Sequence, residues 1–247
     1  MRRWAWMLVM CWPCLVGGAS RDFNGTTDLI NIGSAANLDN HTALTYTAWV
    51  YVEGGGENNL GEIYTKSPAG GTTKQFRIEN RGGAEQTNSL DMAIVTSGTS
   101  RQARAATDSL SFNAWHFVVT NWPGSSAPKL FIDGAEPPYA TQTNGTGTDT
   151  SEANDSGIIG NRGNADRTFD GQMAYVSIHN ASLSVVEQEE LRYHALSIPN
   201  GIVAALPLWG NASPEVDLSG TGNAGTLTGT AESANGPPVM IGGYHSP

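Results

Sequence analysis

The chain has 247 residues, with 13 Lys and Arg against 23 Asp and Glu, a formal charge of −10. That balance excludes the basic footprint by which proteins grip phosphate backbones, so nucleic acid and anionic membrane surfaces are not expected partners. The first residues read as a removable leader: Arg2-Arg3, an apolar run from Trp4 to Val16, then Gly17-Gly18-Ala19. This is the layout of a secretory signal peptide over residues 1–19, and its apolar run is shorter than the roughly 20 residues a membrane-spanning helix needs. Cleavage after Ala19 would leave 228 residues with 11 basic and 23 acidic side chains. Cys11 and Cys14 leave with it, so the mature chain is expected outside the cell or on its surface, without disulfides and without membrane insertion.

In chain order, Leu29–Ile32 reads as a short strand and residues 44–53 as the clearest one. There Leu44, Tyr46, Ala48, Val50 and Val52 alternate with Thr45, Thr47, Trp49, Tyr51 and Glu53. Both faces carry bulky residues, which predicts a strand covered on both sides. Shorter strands follow at Glu62–Thr65, Gln75–Glu79, Leu90–Thr96 and Arg101–Ala105, separated by turn residues. Residues 113–134 form a hairpin expected near the centre of the domain, with Trp122 at its tip. A Gly, Thr and Asn-rich loop is expected over 139–157, then strands at 157–160 and 172–179. Ser184-Val185-Val186-Glu187 is a capping box opening one helix, with a rough apolar stripe drawn from Val185, Val186, Leu191, Tyr193 and Leu196.

FNGTTDLINIG, LTYTAWVYVE, NAWHFVVTNW with KLFIDG, and IIGNRG with FDGQMAYVSIHNASLSVVEQEEL resemble, in that order, the laminin-G-like, concanavalin A-like superfamily. The resemblance covers about residues 22–196. It implies an all-β fold, a two-sheet antiparallel jelly-roll β-sandwich with one short helix after the last long strand. The domain is drawn as residues 20–197. Residues 198–247 are too few for a second sandwich and are expected to complete the same one, Ile202–Leu208 and Gly225–Gly229 supplying strands as in a circular permutation.

Fold does not fix function, so the chemistry is read from residues. No single strand carries two carboxylates at i and i+2 or i+4, as the glycosidases of this superfamily use, and no G-x-S-x-G or H-E-x-x-H motif is present. The expectation is therefore a non-enzymatic, lectin-like module that binds carbohydrate or a surface. A structural or adhesion protein of a cell surface or virion, with protein partners, is the alternative; a glycan hydrolase is third. Stacking platforms are sought at Trp122 and Trp209, and hydrogen-bonding groups at Arg77, Arg81, Asn161, Arg162, Asp166 and Arg167. Calcium is the best metal candidate: relatives hold it in a rim loop, which implies Asp217 and Asn223, with Asp170 third.

Overall fold

The computed structural model describes residues 19–239 apart from 69–72, 83–85, 198 and 211–212. The leader reading, with both cysteines, lies outside the described residues apart from Ala19. The strands are β1 (Ser20–Asn24), β2 (Leu29–Asn31), β3 (Leu44–Val52), β4 (Leu60–Lys66), β5 (Lys74–Glu79), β6 (Ser89–Ile94) and β7 (Arg101–Ala105). Next come β8 (Trp115–Trp122), β9 (Lys129–Ile132), β10 (Tyr139–Thr143), β11 (Gly157–Ile159) and β12 (Asp170–His179). Helix α1 (Val185–Tyr193) precedes β13 (Ile202–Leu206), β14 (Thr226–Thr228) and β15 (Ala231–Ser233).

These strands make two antiparallel sheets. One runs β15-β1-β12-β3-β8-β9 with β13 also paired to β12, and the other runs β10-β7-β6-β5-β4-β11-β2-β14. The inner faces enclose a single large apolar cluster that includes Leu44, Tyr46, Val50, Phe76, Ile78, Leu90, Met92, Val118 and Leu206. A second cluster covers the outside of the seven-stranded sheet, where Trp49, Phe117, Val119 and Tyr175 meet Leu191 of α1 and Val239. β3 is thus buried on both faces, as its composition demands. β12 serves two partners in succession, pairing with β1 over 170–173 and with β13 over 176–179. The changeover falls at a bulge around Tyr175, which adopts a left-handed φ of 51°. A buried ion pair, Arg21 to Glu215 at 3.1 Å, joins β1 to the segment before β14.

Several expectations need correction. The β8–β9 hairpin is not central, because β9 is an edge strand. Residues 139–143 lie in the expected loop yet form β10, which pairs with β7. An edge strand needs only one partner and little apolar content, so YATQT carries no strong strand signal. The capping box is present, but α1 buries Gln188 and Leu191 while Val185 and Val186 are 56% and 79% exposed. Trp122 is fully buried rather than displayed at a tip. It continues the alternation of Val118 and Thr120 into the core, its Nε1 donates to Ser126 O at 2.9 Å, and the Arg101 guanidinium lies over its ring.

Candidate functional site

The outer face of the eight-stranded sheet carries a row of charge. The registers Glu62↔Arg77, Arg77↔Asp91 and Asp91↔Arg104 set one residue each from β4, β5, β6 and β7 side by side, with alternating sign. Three interstrand steps make the row about 14 Å wide. Side chains alternate along each strand, so Phe76, Ile78, Leu90, Met92 and Ala103 filling the core forces Arg77, Asp91 and Arg104 outward. Arg77 Nη2 meets Asp91 at 2.8 Å and its Nη1 lies 3.9 Å from Glu62. Arg104 Nε meets Glu79 at 2.6 Å and Asp91 at 3.6 Å. The carboxylates of Glu62, Glu79 and Asp91 are wholly buried beneath the partly exposed guanidiniums.

A loop between β11 and β12 completes the face. Gly160 starts it with a φ of 79°, and a Cβ there would collide with the Phe23 ring. Asn161 is fully buried and folds the loop on itself: its Oδ1 accepts from the Arg162 and Arg167 N–H groups, and its Nδ2 donates to Asp28 O and Thr168 Oγ1. The Glu62 N–H donates to Arg167 O at 3.0 Å, fastening the loop to β4. Arg162 then grips Asp166 through two parallel bonds of 2.5 and 2.8 Å. Arg167 donates from Nη1 to Asp166 O at 2.7 Å.

Electrostatically these groups form one set. Burial first, then Asp91, push the Glu62 carboxyl up to about 8, against the opposing pull of Arg77, Arg162 and Arg167. Neither Glu62 oxygen accepts a hydrogen bond. The bond from Arg162 holds Asp166 below the usual carboxylate range. Burial lowers the pKa of Arg167, and the charges of Arg162 and Arg81 push it the same way. Arg81 is exposed at the end of the β5–β6 hairpin.

The structure therefore brings Arg77, Arg81, Arg162, Asp166 and Arg167 together, with Asn161 as the buried clamp that positions their loop rather than a ligand-facing group. Trp209 stands elsewhere: it packs edge-on against Tyr175, centroids 6.1 Å apart, beyond the seven-stranded sheet. Glu62, Glu79, Asp91 and Arg104 are the members that reading strands singly misses, because the carboxylates gather across strands and not along one. The alternation of Gln75, Arg77 and Glu79 against Phe76 and Ile78 was the available signal.

Of the residues suggested as calcium ligands, Asp217 and Asn223 lie in one loop and are bonded within it. Asp217 Oδ1 accepts from the N–H groups of Ala205 and Ser219, both at 2.9 Å, and Oδ2 accepts from the Asn223 N–H at 2.8 Å and from Thr221 Oγ1. Burial raises the Asp217 pKa, but these bonds outweigh it and hold it low. A carboxylate with this many donors around it acts as a loop clamp. Asn223 Nδ2 donates to Val203 O within the same clamp. Asp170 is remote, since the clamp binds β13 opposite Ser177, seven residues along β12 and roughly 23 Å away. Among the described residues no three His, Cys, Asp or Glu side chains gather as a metal site.

One further constellation was not expected from the sequence. Ser111 Oγ lies 2.8 Å from His116 Nε2, and His116 Nδ1 lies 2.6 Å from Asp133 Oδ2. Asp133 also accepts from the Phe117 N–H at 2.9 Å. Burial raises the Asp133 pKa, but the bonds from His116 and Phe117 bring it below the usual value. An ionised carboxylate only accepts, so Nδ1 carries the proton and, in the neutral ring, Nε2 accepts from Ser111.

With this geometry in hand, the chain is found to belong to the Laminin_G_3 family of the concanavalin A-like lectin/glucanases superfamily, whose family model matches residues 24–187. Among solved structures it is similar to a Bacteroides ovatus protein to which carbohydrate binding has been attributed. That match has a TM-score of 0.64 at 17% identity, over 92% of this chain and 63% of the other. It is also similar to part of the extracellular region of zebrafish Gpr126/Adgrg6, with a TM-score of 0.52 at 15% identity, over 89% of this chain and 26% of that one. The chain thus spans less than two thirds of either. A search of the curated proteins gives no match.

The Glu62 environment sets a pH dependence. Its folded pKa near 8 lies above the unfolded value of 4.5, so the folded state holds this proton more tightly. The group therefore costs nothing below pH 4.5, erodes stability as pH rises from there to 8, and keeps that cost constant above. The ceiling is about 1.4 kcal/mol per pH unit within that window. Glu62→Gln removes the titration and keeps the shape. Its Tm is expected to match the parent near pH 5 and to exceed it near pH 9, by about 2–4 °C for each kcal/mol recovered. Parallel melting curves across this range would show that Glu62 ionises freely.

Proposed function

We propose that this concanavalin A-like chain is a carbohydrate-binding module acting outside the cell, with the outer face of its eight-stranded sheet as the binding surface. The observation that carries the reading is the convergence of Arg77, Arg162 and Arg167 around Glu62, with Arg81 and Asp166 beside Arg167, on one face. Planar guanidinium and carboxylate groups held at fixed positions are suited to saccharide hydroxyls. The likeness to a neighbour to which carbohydrate binding has been attributed adds support at the level of fold. On this reading the face has no glycosidase activity. Hydrolysis needs two carboxyl groups that reach opposite sides of the bond, and Glu62, Glu79 and Asp91 lie wholly buried beside guanidiniums.

Affinity electrophoresis of the full chain through gels containing different polysaccharides tests this. Retardation by at least one is expected, with at least a tenfold loss of affinity in Arg162→Ala and no release of reducing ends. A folded protein that no polysaccharide retards, or one that liberates reducing ends, would contradict the reading.

The Ser111–His116–Asp133 chain favours a second reading, hydrolysis of an acyl ester on the bound glycan. Ser111 Oγ would add to the ester carbonyl as its proton passes to His116 Nε2. Collapse would expel the alcohol, which takes that proton, and water would then release the acid by the same route. A fluorophosphonate probe is expected to label Ser111 in the parent and to leave His116→Ala unlabelled. Absence of labelling in the folded parent would remove this reading.

A further inference from the structure

We propose that the saccharide taken by this face is an acidic one, and that its carboxylate seats on Arg167, with Arg162 and Arg81 alongside. The proposal rests on the carbohydrate-binding reading above and names the ligand class within it.

The chain is acidic overall, yet the face gathers Arg77, Arg81, Arg104, Arg162 and Arg167 against Glu62, Glu79, Asp91 and Asp166. The acidic residues are spent unevenly. Asp91 holds Arg77 at 2.8 Å, Glu79 holds Arg104 at 2.6 Å, and Asp166 holds Arg162 in a two-pronged pair. Glu62 sits 3.9 Å from Arg77, hydrogen-bonded to nothing, and its raised pKa keeps it largely uncharged near neutrality. Glu57 also reaches the loop, accepting from the Thr168 N–H and hydroxyl, and Arg81 has a partner of its own, so the surplus of positive charge at the loop end of the row lies with Arg167.

Arg167 is where that surplus is felt. Its Nη1 alone is engaged, by Asp166 O at 2.7 Å, with Asp166 Oδ2 farther off at 4.0 Å. Its Nε and Nη2 meet no acceptor among the described residues, and they are not among the buried polar atoms. The Nε–Nη2 edge of a guanidinium is a fork whose two parallel N–H bonds match the two oxygens of a carboxylate. Arg162 and Arg81 press on the same guanidinium with like charge. An incoming anion would relieve that repulsion and take up the unmatched edge in one contact. A hydroxyl could accept one of these bonds but would leave the repulsion in place. The loop is pinned to β4 by the Glu62 N–H and braced by buried Asn161, so the fork is held ready before binding.

Titration calorimetry on the full chain separates this from its parent reading. The probes are oligosaccharides of galacturonate, mannuronate and glucuronate, each beside its methyl ester, with a sulfated neutral glycan as a further arm. At least one uronate is expected to bind tenfold or more tightly than its own ester, a gap that narrows as NaCl rises from 50 to 500 mM. Arg167→Ala should abolish that gap with an unchanged Tm, and Arg167→Lys, which keeps the charge and loses the fork, should close most of it. Equal affinity for acid and ester, preference for the sulfated glycan alone, or an unaltered gap in Arg167→Ala would overturn the acidic ligand and leave carbohydrate binding standing. Failure of every saccharide to bind the folded chain would overturn both.

Discussion

Carboxylates buried on a sheet must be answered by charge within reach, and that constraint shapes this molecule's working face. Glu79 and Asp91 lose almost all contact with water, which disfavours their ionised forms unless guanidinium groups approach them. Strand register supplies those groups: Arg77 and Arg104 flank Asp91, and Arg104 also reaches Glu79. The result is layered, with carboxylates below and arginines above. A face that would carry net negative charge on a strongly acidic protein instead presents cationic edges outward. Glu62 ends the row and is the member least well answered, which is why its proton is held so far above the ordinary range.

The loop from Gly160 to Phe169 turns this row into a site. Its shape comes from inside, through Asn161, whose amide oxygen gathers two backbone N–H groups and whose amide nitrogen ties the loop to Asp28 and Thr168. The arginines at 162 and 167 are thereby set beside one clamp and next to β4, both engaging Asp166. A polar side chain also shapes a loop at 217–223, where Asp217 accepts from the backbone N–H groups of Ala205, Ser219 and Asn223. Three backbone N–H groups around one carboxylate make Asp217 the clamp of that loop.

How much of this the amino-acid order discloses depends on the range of the contacts. Elements set by local alternation and capping are legible: β3, the β8–β9 hairpin, β12 and the Ser184–Glu187 box all stand out from neighbouring residues alone. Trp122 was legible too, since it continues the inward series of Val118 and Thr120. The Pro-Gly turn that follows argued for a tip and masked it. The charged row was not. Arg77, Asp91 and Arg104 are separated in sequence by hairpins whose register is fixed by core packing, so no stretch of chain announces that they adjoin. Asp133 reaches His116 for the same reason, through the β8–β9 pairing, while Ser111 lies only five residues before His116. β10 was missed because an edge strand closed by one partner needs no apolar pattern.

The central claim is that Arg77 and Asp91 are energetically one unit on this face, and a double-mutant cycle on them tests it most directly. Urea unfolding of Arg77→Met and of Asp91→Leu should each reveal a loss of about 3–5 kcal/mol, since each removes one partner of a buried ion pair. The double variant should lose less than the two combined, by a coupling of about 1–3 kcal/mol. Simple additivity would mean that the two charges are solvated separately, and the account of this face would fail.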